Sequence, residues 1–179
     1  VRFHLIGVEN EPWLSVLGLL KGESANSYPE PQAEQARALL AVLREMADII
    51  IVDCCTALPW DALSLVAARQ ADYSLCLLPP ELKTVCYLSA QLPLVNDGWA
   101  ESQRQWRLLS QVADEGIAAP AFADTDFELP YCQELAEQGA LGELLQPLTR
   151  KASRHYLQAL TTIADKLLAN NTERGDTII

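Results

Sequence analysis

Basic side chains are in short supply: 13 Lys and Arg stand against 24 Asp and Glu, a formal charge of −11 over 179 residues. That field repels polyanions, so nucleic acid is excluded as a partner. Histidine is nearly absent, with only His4 and His155, so no Cys/His group has metal-ligand spacing and neither ring has a recognisable catalytic partner. The cysteines, Cys54, Cys55, Cys76, Cys86 and Cys132, form an odd set without a CxxC pair. Four fall in apolar stretches and read as small core residues of a reducing compartment, so the cytoplasm is the expected location. No serine lies in a GxSxG elbow, and the loop acids Asp124 and Asp126 are accounted for by turn formation. No apolar run approaches the roughly 18 residues of a membrane span, and the start lacks the basic-then-apolar order of a signal peptide.

What the chain does have is apolar material. Half of its residues are apolar or aromatic and 21% are charged, enough to build a packed core rather than a disordered segment. One globular domain over residues 1–170 is expected, with 171–179 as a flexible tail. Opening on Val1, directly in an apolar strand-like run, is read as the mark of a trimmed or partial chain.

The pattern along the chain alternates. Val1 to Val8 suits a strand, and Glu9 to Pro31 a connector in which WLSVLGLL forms a short helix. From Gln32 to Met46, Ala36, Leu39, Leu40, Leu43 and Met46 recur at three and four, the period of a helix with one apolar face. Asp48 to Asp53, DIIIVD, is a continuous apolar run that implies a strand covered on both faces, as in a parallel sheet. Leu58 to Arg69 reads as a helix with Asp61 near its start, Ala71 to Leu78 as a strand, Glu81 to Val95 as a helix and Gln105 to Val112 as a strand. Ile117 to Leu129 contains an edge strand with a loop, Tyr131 to Gln138 starts a helix, and Leu148 to Leu168 is a last helix. The apolar face of that last helix comprises Ala152, Tyr156, Ala159, Leu160, Ile163 and Leu167. The expected fold is α/β: a doubly wound, mostly parallel sheet flanked by helices, which binds ligands at the carboxyl ends of its strands.

Three strand ends follow as candidates. Asp53 closes an apolar strand, where a carboxylate holds Mg²⁺ or its water shell over phosphates, or caps a helix. Pro79 and Pro80 stop a strand and Glu81 enters the next helix near its positive end, which capping alone explains. The turn Leu129-Pro130-Tyr131 offers backbone groups to a base edge, or is simply a bend.

The stretch DIIIVDCCTALPWDALSLVAARQADYSLCLLPPELKTVCYLSAQL resembles the middle of a MinD/ParA-type deviant Walker ATPase, a family of P-loop NTPase fold. Its IIIVD, Ala71-Asp72 and LLPPE stand in the family's order, and FELPYCQELAEQGALGELL is similar to the family segment that runs beside the adenine. The resemblance covers Val1 to Leu168, the carboxyl-terminal two thirds of such a domain. It implies Asp53 as the catalytic acid and the water-mediated Mg ligand, and Pro80, Glu81, Ser110, Pro130 and Tyr131 around the nucleotide. Ser110 stands in place of the family's adenine-reading asparagine, and Cys132 in place of the aspartate after the Pro-Tyr turn.

The family's phosphate-wrapping loop has no counterpart here. No GKS or GKT occurs, and Leu20-Lys21-Gly22-Glu23-Ser24 has an acid where the anion would sit. The amino-terminal part of the fold is therefore read as missing or degenerate. ATP and Mg are implied as cofactors only for a parent that carries the loop. The implied function is that of a positioning or partitioning ATPase, or a degenerate relative. Such a protein uses nucleotide-controlled dimerisation to localise a septum, a plasmid, or a pilus or secretion apparatus. The alternative is a non-catalytic interaction module on the same scaffold. The expected partner is a second copy or another protein. NNTERGDTII has neither a basic face nor an apolar stripe, so no direct membrane insertion is expected. Arg150, Lys151, Arg154 and His155 read as solvated helix-face charge.

Overall fold

The computed structural model describes residues 5–9, 11–24, 28–54, 61–90, 104–110, 122 and 124–172. They fall into two compact units, Val1–Gln70 and Ala71–Ile179. The architecture is mixed α/β, with a three-stranded parallel sheet and flanking helices in the second unit. Among the described residues no helix is long and apolar enough to cross a membrane.

The first unit opens with an antiparallel hairpin of β1 (Leu5–Val8) and β2 (Glu11–Leu17), whose register pairs Leu5 with Leu17 and slips between Gly7 and Val8. WLSVLGLL is therefore strand for most of its length, not the expected helix. Pairing with β1 supplies its backbone hydrogen bonds, Pro12 tolerates the start of an edge strand, and Gly18 follows its end. Helix α1 (Ala33–Arg44) begins where the Gln32 N–H donates to Gln35 Oε1 at 2.9 Å. Its expected apolar stripe turns in only partly: Ala36 and Leu40 are buried, whereas Met46 lies beyond the helix and is exposed. Helix α2 (Ala62–Gln70) is capped by Asp61, whose carboxylate accepts from the Ser64 N–H at 2.9 Å. Val66 and Ala67 complete a core with Ala36 and Leu40, and Arg44 ties the two helix ends together by donating to the Gln70 carbonyl at 2.9 Å.

The expected strand at Asp48 to Asp53 is not formed. Residues 47–54 join no ladder, and Ile49 and Ile51 are 65% and 91% exposed. Apolar composition makes a strand only where a neighbouring edge offers hydrogen bonds, and the described residues pair no edge with this run.

In the second unit β3 (Tyr73–Leu78), β4 (Arg104–Ser110) and β5 (Phe127–Leu129) lie side by side in that order, all parallel. Helix α3 (Leu82–Ala90) follows β3, while 91–95 of the expected helix and 117–121 of the expected edge strand lie outside the described residues. Asp126 sets the start of β5: its carboxylate accepts from the Arg107 N–H at 2.7 Å and its own N–H donates to the Arg107 carbonyl at 2.8 Å. Helix α4 (Gln133–Leu141) ends on Gly142, at φ 73°, and a short 3-10 turn (Lys151–Ser153) leads into α5 (Arg154–Thr172).

Leu108 and Leu129 form the core against Ile163 of α5, joined by Trp106, Phe127, Tyr156, Ala159 and Leu167. The aromatic rings of Tyr73, Trp106 and Phe127 follow one another across the sheet at centroid spacings of 5.0 and 5.1 Å. The expected face of the last helix needs two corrections. Leu160 is 43% exposed, and Ala152 is exposed while its neighbour Ser153 is buried. The 3-10 turn breaks the 3.6-residue period that would have turned Ala152 inward. Helix α5 also continues to Thr172, two residues into the expected tail, whose remainder, 173–179, lies outside the described residues.

Candidate functional site

The parallel register fixes one end of the sheet. Leu78 stands opposite Leu109, and Ser110 opposite Leu129. The chain therefore leaves β3 at Pro79-Pro80, β4 at Ser110 and β5 at Pro130-Tyr131 on the same edge, the carboxyl edge at which parallel α/β sheets take ligands. Five of the six sequence-derived candidates, Pro80, Glu81, Ser110, Pro130 and Tyr131, are at or beside that edge.

Their surroundings differ. Pro80 is buried, and Ser110, Pro130 and Tyr131 are half-buried. Glu81 is exposed; its N–H donates to the Pro79 carbonyl at 2.7 Å, and its own carbonyl accepts from Thr84 at 3.0 Å, so its backbone opens α3. Beyond the β5 turn, Cys132 is buried at the start of α4 and its carbonyl accepts from Ala136 at 3.1 Å.

Asp53 is not brought to this edge by the ladder. It belongs to the first unit, exposed, just after the Ile49 to Val52 run and outside any helix or strand. Residues 55–60, which follow soon after it, lie outside the described residues. Among the described residues no three His, Cys, Asp or Glu side chains gather as a metal site. Magnesium takes one or two carboxylates and fills its shell with water and phosphate oxygens. Asp53 is an exposed carboxylate, the donor type that such a shell takes. An open cleft of about 300 Å³ in the first unit is lined by Glu30, Pro31, Gln32, Asp61 and Ala62. Its two acids oppose an anionic ligand.

The most elaborated carboxylate is one that sequence reasoning missed. Glu134, in the first turn of α4, is 7% exposed. It accepts from the Thr149 N–H at 2.9 Å, the Thr149 hydroxyl at 3.2 Å, the Arg150 N–H at 3.0 Å and the Ser153 hydroxyl. Those bonds, the Ser153 hydroxyl foremost, outweigh the cost of burial and hold the carboxyl at about 2, far below its ordinary 4.5. One turn on, Glu137 pairs with Arg150 and accepts from Gln133 at 2.8 Å; the guanidinium lowers the Glu137 carboxyl and is itself raised by it. Arg150 is thus an ion-pair partner as well as an exposed charge. The signal in the sequence is slight: hydroxyl residues Thr149 and Ser153, four apart, just ahead of a helix.

No family model, curated protein or solved structure matches the chain.

Proposed function

We propose that the chain is a MinD/ParA-like positioning protein, or a degenerate relative, whose dimerisation is controlled by nucleotide. In this reading the carboxyl edge of β3–β5 receives the adenine side of the nucleotide, with Pro80, Ser110, Pro130 and Tyr131 around the base, while the catalytic and magnesium role of Asp53 rests on the family resemblance alone. The doubly wound, P-loop NTPase-like form of the fold belongs to the same proposal. The observation that carries it is the ladder register, which gathers the LLPPE and LPYCQEL segments, 50 residues apart in the chain, on one sheet edge. Magnesium, when bound, neutralises phosphate charge. Glu81, exposed beside the same edge, is kept in the proposed nucleotide surroundings, its backbone opening α3. A cytoplasmic setting belongs to the same proposal and is supported by Cys76, Cys86 and Cys132, which form no disulfide among the described residues.

A non-catalytic interaction module is the second reading, favoured by the large apolar side chains left in solvent, Ile51 at 91% and Leu141 at 72% exposure among them. Without a P-loop lysine, binding rather than turnover is the readout. Titration with a fluorescent adenine nucleotide separates the two. Saturable binding that weakens about tenfold in Pro130→Ala, and that loses its magnesium dependence in Asp53→Asn, is expected of the first. Absence of saturable binding overturns it in favour of the second.

A further inference from the structure

A helix start is ordinarily capped by a side chain of the residue that precedes it. The 3-10 turn leading into α5 has no such group: Arg150 occupies its cap position and makes no side-chain cap hydrogen bond. The acceptor is brought in from another helix, by Glu134, whose donors lie 15 to 19 residues further along the chain. An ionised carboxylate has about four acceptor positions, and the four bonds from Thr149, Arg150 and Ser153 use them all. Glu134 therefore has nothing left to offer a ligand, and its importance lies in what it joins.

One of the joined parts is the candidate site. Glu134 follows the β5 turn so closely that only Cys132 and Gln133 separate it from Tyr131. Cys132 is itself buried, within electrostatic reach of Arg150 and of Tyr156 on α5. The Arg150–Glu137 pair adds a second tie between α4 and the same segment.

We infer that Glu134 is a positioning residue: by holding Thr149, Arg150 and Ser153 it fixes the Pro130–Cys132 turn against the start of α5, and so sets nucleotide affinity at the carboxyl edge without contacting the nucleotide. The ligand's identity rests on the function proposed above; the positioning of the turn does not.

The test is site-resolved thiol labelling of the full chain by a small alkylating reagent, mapped by peptide mass, beside titration with a fluorescent adenine nucleotide. In Glu134→Gln the carboxamide turns an N–H₂ toward donors, and Cys132 is expected to label about tenfold faster than in the wild type. Cys76, on β3, keeps its rate and reports that the sheet is intact. Unchanged Cys132 labelling in a folded Glu134→Gln overturns the inference and leaves Glu134 as a cap for α5 alone. If Cys76 accelerates equally, Ser153→Ala decides: it deletes one donor, and Cys132 must again outpace Cys76, failing which the inference falls. A wild type that binds no nucleotide overturns the proposed function, while the Cys132 rates still decide the positioning. Equal nucleotide affinity in wild type and Glu134→Gln overturns the control of affinity.

Discussion

Glu134 makes the stability of the protein respond to acid in a definable interval. Its carboxyl is depressed from 4.5 to about 2 in the folded chain, so the stabilisation it gives is complete above the ordinary value and is lost as pH falls toward the depressed one. Glu134→Gln carries no charge to titrate. The stability gap between wild type and variant is expected to be constant above that interval and to close within it, as followed by urea unfolding. A gap that stays open through the interval contradicts the assignment. Burial separates two leucines just as clearly. Leu108 is 2% exposed in the α5-facing core, so Leu108→Ala should cost about 2–5 kcal/mol. Leu77, its partner in the ladder, is 58% exposed, and Leu77→Ala should stay within about 0.5 kcal/mol in the same unfolding measurement. No sequence pattern distinguished these two, because both sit in apolar strand runs and only the docking of α5 tells them apart. The same holds for Glu134, which in QELAEQ looks like any helix-surface acid until donors 15 to 19 residues away are in place.

Helices were the legible elements. The apolar recurrence from Gln32 to Met46 and from Leu148 to Leu168 needs no partner to be recognised, and α1 and α5 lie within or close to those bounds. Strands depend on neighbours, and that is where the sequence ran out. β3 and β4 were found because each is an apolar run that has a ladder. DIIIVD has the better composition and no ladder among the described residues, while WLSVLGLL has a helical look and pairs with β1. The end of α4 is fixed by local chemistry alone. Gly142 sits at φ 73°, where its N–H donates to the Gly139 carbonyl at 3.3 Å and the Glu143 N–H to the Gln138 carbonyl at 2.8 Å. A side chain in that conformation costs about 1–2 kcal/mol, so Gly142→Ala should lower the unfolding free energy by that amount. Gly18→Ala, at a glycine with no neighbour within 4 Å of an added Cβ and no positive φ, is the control and should leave it nearly unchanged.

At the scale of the whole molecule, the gathering of Pro80, Ser110 and Pro130 was foreseeable once the sheet was taken as parallel, since parallel strands all deliver their carboxyl ends to one edge. The exposure of apolar side chains was not. Leu141, Leu144 and Leu145 at 72%, 58% and 60% form a short sequence cluster from the last residue of α4 onward, and Leu75 and Leu77 stand at 43% and 58% on β3. Apolar surface of that kind favours association, and a formal charge of −11 opposes it through repulsion between like molecules. Salt distinguishes the two forces, because it screens the repulsion within about a Debye length of 10 Å at 0.1 M and leaves apolar contact in place. The mean molar mass from light scattering should therefore rise with protein concentration, and rise further as sodium chloride is added. Leu144→Glu together with Leu145→Glu should lower it at every salt concentration if this cluster is part of the contact. A mass that stays at one chain throughout, or that falls with added salt, would show that charge pairing or an unassociated chain, not apolar contact, governs the molecule in solution.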